Sequence, residues 1–242
     1  MIFMLAQNRR MLPPTRTAGP MVNLSRASIA LLATLGAWFG AAGPAAAHPH
    51  VFVDARAELV FDAKGQISAI RQVWRFDDAF SAFATQGLDT DGDGKFSKEE
   101  LQPLAKINVD SLKEYDYFTF LKLAGKRKGF KLPSEYWLQM RDGFLTLFYT
   151  LPLIEPIAAK GTAVELEVYD PGYFVDFTLV EQEPALLVGS PPGCSIDVHK
   201  KGEPEGATAA ILSQIPATER ELPADLQAVT RQFANRITVK CP

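Results

Sequence analysis

The stretch running from Asp89 to Glu100, DTDGDGKFSKEE, sets carboxylates at spacings that suit a hard divalent cation. Counted from Asp89, it places Asp89, Asp91 and Asp93 at positions 1, 3 and 5, Gly94 at 6, Lys95 at 7, Ser97 at 9 and Glu100 at 12. Alternate positions can aim their oxygens at one centre only where the backbone turns sharply, which glycine at position 6 allows. Asp89, Asp91 and Asp93 then supply carboxylate oxygens and Lys95 its carbonyl, Ser97 acts through its hydroxyl or a water, and Glu100 closes the shell with both oxygens. That is the ligand pattern of an EF-hand calcium loop. Phe96, at position 8, is expected to turn its ring into the core. Without a cation these carboxylates repel one another, so the segment is expected to be ordered by metal. Calcium sensors pair two such loops, and a single loop reads instead as a structural staple, with dissociation constants of around 10⁻⁴ to 10⁻³ M as in extracellular modules.

A second set of ligand atoms stands at His48 and His50, in AHPHVFVD. Residues 1–47 hold four arginines, no acid, and an apolar run ending in small residues at Ala45 and Ala47. This is the layout of a secretory signal peptide cleaved after Ala47. The apolar run is shorter than the ~20 residues of a membrane span, so no retained transmembrane anchor is expected. Met21 is an alternative start that would leave a more ordinary leader. Cleavage would make His48 the first residue, and its free amine and imidazole, with the imidazole of His50, could hold copper, nickel or zinc. Pro49 has no amide proton to lose, which rules out the square-planar arrangement through backbone nitrogens. Asp54 shares a strand face with His50 but lies about 13 Å along it, at ~3.3 Å per residue. The remaining histidine is His199.

The elements that must position these groups follow from periodicity. Two runs rich in Val, Ile and Phe from His48 onward, separated by Asp62, Lys64 and Gly65, read as a β-hairpin. The period then becomes helical: Phe80, Phe83, Ala84 and Leu88 form one face of a helix entering the acidic loop, and Leu101, Leu104, Ala105 and Val109 one face of the helix leaving it. Pro103 is expected to kink that second helix or to open a new one. Five strands follow, in YFTFLKLAG, EYWLQMRDG, FLTLFYTLPL, AVELEVYD and YFVDFTLV. The basic cluster Lys126, Arg127, Lys128 and Lys131 reads as a solvated hairpin tip. A polar loop, a helix over PADLQAVTRQFANR and a final strand end the chain. The fold class is α+β: residues 48–242 form one domain, an antiparallel β-sheet or sandwich with a helix-loop-helix EF-hand insertion at 77–114.

Removing the four leader arginines from 25 Lys and Arg leaves 21 against 28 Asp and Glu, a net charge of −7 for residues 48–242. Such a chain lacks the basic face that binding to nucleic acid needs. Cys194 and Cys241 have no zinc-type spacing, and in an exported chain a disulfide between them is expected.

The segments HPHVFVD, WRFDDAFSAF, DTDGDG, LKEYDYFTF, VYDPGYFVDF and PPGC, with Cys241 near the end, together resemble an uncharacterised family of exported bacterial proteins. Its members are often described as the periplasmic component of an ABC-type transport system of unknown substrate, and are frequently encoded near nickel/cobalt-type permeases. The resemblance implies a periplasmic location, a membrane-embedded cation permease as partner, and nickel, cobalt, zinc or copper as the ion for His48 and His50. The expected function is that of a calcium-stabilised, metal-binding accessory to transition-metal transport. Weaker binding candidates are Tyr117, Tyr169, Asp170 and Tyr173. The sequence holds no G-x-S-x-G, H-E-x-x-H or phosphate loop, so no enzyme is expected. The alternatives are a non-catalytic interaction domain and a copper enzyme built on an N-terminal histidine.

Overall fold

A computed structural model of the chain describes residues 49–215 and 222–242. Residues 1–48, which include the expected signal peptide and His48, lie outside them.

Alternation of apolar and polar residues builds the first hairpin. In β1 (Val51–Phe61) every second side chain from Val51 to Phe61 is buried. The Asp62 carboxylate accepts the N–H groups of Lys64 and Gln66 at 2.9 and 3.0 Å, holding the turn into β2 (Gln66–Phe76). β2 pairs next with β6 (Phe144–Ala158), which pairs with β5 (Glu135–Arg141). On its other edge β1 meets β8 (Val175–Leu179) and β9 (Ala185–Val188), both parallel to it. This large sheet is therefore antiparallel except at that edge. No hairpin joins β8 to β1: it arrives from the second sheet, and so is free to run alongside in the same direction.

The second sheet is antiparallel throughout, in the order β10 (Ser195–His199), β11 (Asn235–Lys240), β7 (Val164–Val168), β3 (Thr119–Leu123) and β4 (Lys126–Lys128). Trp74, Tyr149, Leu121, Leu166 and Ile237, from both sheets, join one continuous core. The Cys194–Cys241 disulfide is formed and fastens the start of β10 to the end of β11.

Between β2 and β3 the chain makes α1 (Asp78–Ala84) and α2 (Lys98–Leu112), followed by a 3₁₀ turn at Lys113–Phe118. Phe80, Ala84 and Leu88 pack on the core, but Phe83 is 46% exposed. The buried face of α1 is centred on Ser81, Ala84 and Thr85, because the Ser81 hydroxyl accepts the Leu145 N–H of β6 at 2.9 Å. At 100° per residue Phe83 falls off that face. α2 also departs from expectation: it runs unbroken through Pro103. The proline sits on the exposed side, so the Glu99 carbonyl that loses its N–H partner is available to water.

Near the C-terminus α3 (Gly206–Ser213) stands where a loop was expected, and α4 (Ala224–Thr230) falls within the expected helix. Leu212, Ile215 and Leu222 bury against one another and gather Tyr173, Leu226 and Phe233 into a small second cluster. The apolar run AAIL in α3 has a partner there, which its polar neighbours concealed.

Candidate metal site

The acidic loop is held at both ends by hydrogen bonds. Ser97 caps α2: its hydroxyl accepts the Glu100 N–H at 3.2 Å, while Glu100 Oε2 accepts the Ser97 N–H at 2.9 Å. This reciprocal capping box satisfies two donors that the first turn leaves open. Glu100 Oε1 reaches back across the loop to the N–H and hydroxyl of Thr90, at 2.7 and 2.8 Å. The backbone N–H groups of Ser97 and Thr90, then their hydroxyls, hold the Glu100 carboxyl down at about 2. One side chain thus ties the residue after Asp89 to the start of α2.

Inside the loop each aspartate organises the backbone ahead of it. Asp89 accepts the N–H groups of Gly92 and Gly94 at 2.8 and 3.0 Å, Asp91 that of Asp93 at 3.1 Å, and Asp93 that of Lys95 at 2.7 Å. Gly94 has φ +78°, a left-handed conformation that side chains rarely adopt. One carboxylate oxygen each from Asp89, Asp91 and Asp93 lie within 4.8 Å of one another, the only such convergence of three or more His, Cys, Asp or Glu ligands among the described residues. Three acceptor oxygens this close, in a loop open to solvent, suit a calcium-sized ion. Glu100 stands outside that triad, with both its oxygens engaged as described, and the Ser97 hydroxyl donates to Glu100 Oε2 at 2.8 Å. Phe96 packs its half-buried ring against the core, and Leu101, Leu104, Ala105, Val109 and Leu112 bury the inner face of α2.

The other predicted residues serve different ends. His50 is exposed at the start of β1, its ring 4.9 Å from that of Phe174 and its N–H bonded to the Phe174 carbonyl. His199 lies on β10, at the far edge of the second sheet. Asp170 is buried and its carboxylate accepts the N–H groups of Gly172, Phe174 and Val175, so it shapes the turn into β8. Tyr173 sits in that turn at φ +55°, with burial pushing its hydroxyl up to about 12. Tyr169 packs its ring against Phe120. The Tyr117 carbonyl accepts the hydroxyls of Thr119 and Tyr149 at 2.8 and 3.2 Å.

Two features escaped the sequence reading. Glu167 on β7 is 1% exposed and is met by Lys122 Nζ at 2.5 Å, Arg231 at 3.2 Å and Arg236 at 3.5 Å. Burial alone would raise its pKa, but hydrogen bonds from Lys122 and Arg231 and their charges bring it below the usual value. A depressed carboxylate stabilises the fold above the unfolded-state pKa of about 4.3, and that stability is lost as pH falls through the lower folded-state value. Glu167→Gln is therefore expected to flatten the acid limb of the stability–pH curve below about pH 4.5 while destabilising the protein near neutrality. Urea titrations at several pH values check this, and a wild-type acid limb retained in the variant would refute it. The alternation in VELEV would turn Glu167 outward with Glu165, and its partners come from distant segments.

The second is the outer face of the large sheet. There Trp137 stacks on Phe148, with centroids 4.8 Å apart and planes 5° from parallel, beside Arg56 and Arg71 in a groove of about 420 Å³. Cross-strand register alone places these residues side by side, and register is not visible in a single strand.

Fold and site together define a two-sheet α+β protein with an acidic helix–loop–helix between its second and third strands. The chain belongs to the DUF1007 family of proteins of unknown function, whose model matches residues 32–241. It is 34% identical over 99 residues to an uncharacterized 15.5 kDa protein of Spirochaeta aurantia, covering 41% of this chain and 70% of that one. An uncharacterized protein of Haemophilus influenzae is 25% identical over 197 residues, covering 81% of this chain and 91% of its own.

Proposed function

We propose that the chain is an exported, non-catalytic metal-binding protein, stabilised by one calcium ion in an EF-hand loop, that serves as an accessory to transition-metal transport. The observation that carries the calcium part is the convergence of Asp89, Asp91 and Asp93 in a loop pinned by Glu100. Calcium there clamps α1 and α2, whose inner faces already lie on the sheets. The disulfide is compatible with an oxidising, periplasmic location, and no helix among the described residues is long and apolar enough to cross a membrane. The transport setting, with a membrane-embedded cation permease as partner, draws its support from the resemblance and from His48 and His50 at the predicted cleavage point.

Calorimetric titration of the processed chain separates the two parts. One calcium is expected to bind, and then, with calcium saturating, nickel, cobalt, zinc or copper is expected to bind at a second site that His48→Ala/His50→Ala removes. No calcium heat would defeat the staple. A calcium event with no second event would defeat the transport role and leave the staple standing.

A further inference from the structure

We infer that the β3–β4 tip docks on an anionic phospholipid surface. From Lys122 to Pro133 the chain holds five cations and no acid, within a chain whose net charge is −3. Lys122 is committed to Glu167, but Lys126 and Arg127 are exposed, and Lys128 is half-buried. Lys113, at the end of α2, faces the same place: with Arg127, Lys128 and Leu132 it lines an open cavity of about 460 Å³. The acid in that cavity, Asp116, is paired with Arg127 at 3.2 Å.

The apolar neighbours distinguish this tip from an ordinary solvated turn. Leu132 and Ile154, 67% and 58% exposed, are the most exposed large apolar side chains among the described residues. They flank the same segment: the Ile154 N–H donates to the Gly129 carbonyl at 3.0 Å, and the Lys131 N–H to the Pro152 carbonyl at 2.8 Å. Ile154 Cδ1 lies over Gly129, where an added Cβ would come within 2.8 Å of it. Gly129 thus lets the Ile154 side chain lie against the basic strand.

The backbone fixes this arrangement. Asp116, Tyr117 and Phe118 are three consecutive non-glycine residues at positive φ, of 52°, 56° and 47°. The Tyr117 carbonyl, held by two hydroxyls, anchors that costly turn, and the turn sets Asp116 against Arg127 at the mouth of the cavity.

A soluble anion needs only the cations. A bilayer rich in anionic lipid uses both chemistries, with Lys and Arg on phosphates and short aliphatic side chains in the interface. The acidic remainder of the chain is repelled by such a surface, so the field turns this tip toward it. The inference does not draw on the calcium loop.

The test is co-sedimentation of the processed chain, in chelator, with phosphatidylglycerol–phosphatidylethanolamine vesicles and with pure phosphatidylcholine vesicles. Binding is expected only to the anionic vesicles, and to fall between about 0.05 and about 0.5 M salt. Lys126→Gln/Arg127→Gln/Lys128→Gln is expected to weaken it about 100-fold, from about fivefold per cation removed. Leu132→Ser/Ile154→Ser, which leaves every charge in place, is expected to weaken it at fixed salt. Equal binding to both vesicle types, or an unaffected triple variant of native circular dichroism, would overturn the inference. So would failure to bind the anionic vesicles, or a Leu132→Ser/Ile154→Ser variant that binds them as tightly as the wild-type chain.

Discussion

Asp91→Asn is expected to reverse its rank against the wild-type chain as calcium is added. In chelator the variant should melt at or above the wild-type temperature. The substituted amide keeps an oxygen to accept the Asp93 N–H, while one of three carboxylates whose oxygens lie within 4.8 Å loses its charge. In saturating calcium the order should invert, because the lost charge is the one the cation needs. The wild-type gain follows from mass action: an ion at 100 times its dissociation constant adds about 2.7 kcal/mol, or about 5–10 °C for a domain of this size. Asp89→Ala/Asp93→Ala should show no calcium response at all. Thermal melts of the three proteins across a calcium series decide it. Parallel curves that never cross, or a wild-type melting temperature the same in chelator as in calcium, would remove the staple reading.

That experiment bears on the part of the molecule most legible in the sequence. The convergence of its carboxylates could be read because it is local: aspartates two residues apart, a glycine at the turn, and the capping pair Ser97 and Glu100 three residues apart. The first hairpin was readable for the same reason, with period-two burial and a turn made by Asp62 within four residues. What stayed hidden depends on partners far along the chain. Phe83 looked like a core residue until the bond from Leu145 to Ser81, 64 residues apart, fixed how α1 rolls. Pro103 looked like a break because its exposure depends on which side of α2 faces the sheets. The parallel edge at β8 and β9, the burial of Glu167, and the left-handed run at Asp116–Phe118 are likewise consequences of how two sheets meet.

The junction between those sheets has its own expected result: Trp74→Ala should cost about 3–5 kcal/mol of unfolding free energy, as for other buried aromatics cut to alanine. Trp74 is 2% exposed and lies edge-on to Tyr149 at 5.0 Å and to Phe177 at 4.8 Å. Its indole N–H donates to Gln72 Oε1 at 3.2 Å, and Gln72 Nε2 donates to the Thr119 hydroxyl at 3.1 Å. That hydroxyl donates in turn to the Tyr117 carbonyl, so the chain of bonds runs from β2 in the large sheet to β3 and the left-handed turn in the second. Alanine therefore opens a cavity and also strands the Gln72 oxygen in the core. Trp74→Phe keeps part of the ring packing but gives up the N–H and some of the indole's buried volume, so its cost should be smaller than that of alanine while still including the roughly 1–3 kcal/mol of a buried acceptor left unpaired. Trp74→Phe/Gln72→Leu, which removes both partners, should recover part of that loss. Urea denaturation of the three variants gives the comparison. If the double variant is no more stable than Trp74→Phe, the penalty is one of packing alone, and the hydrogen-bonded chain does not couple the two sheets.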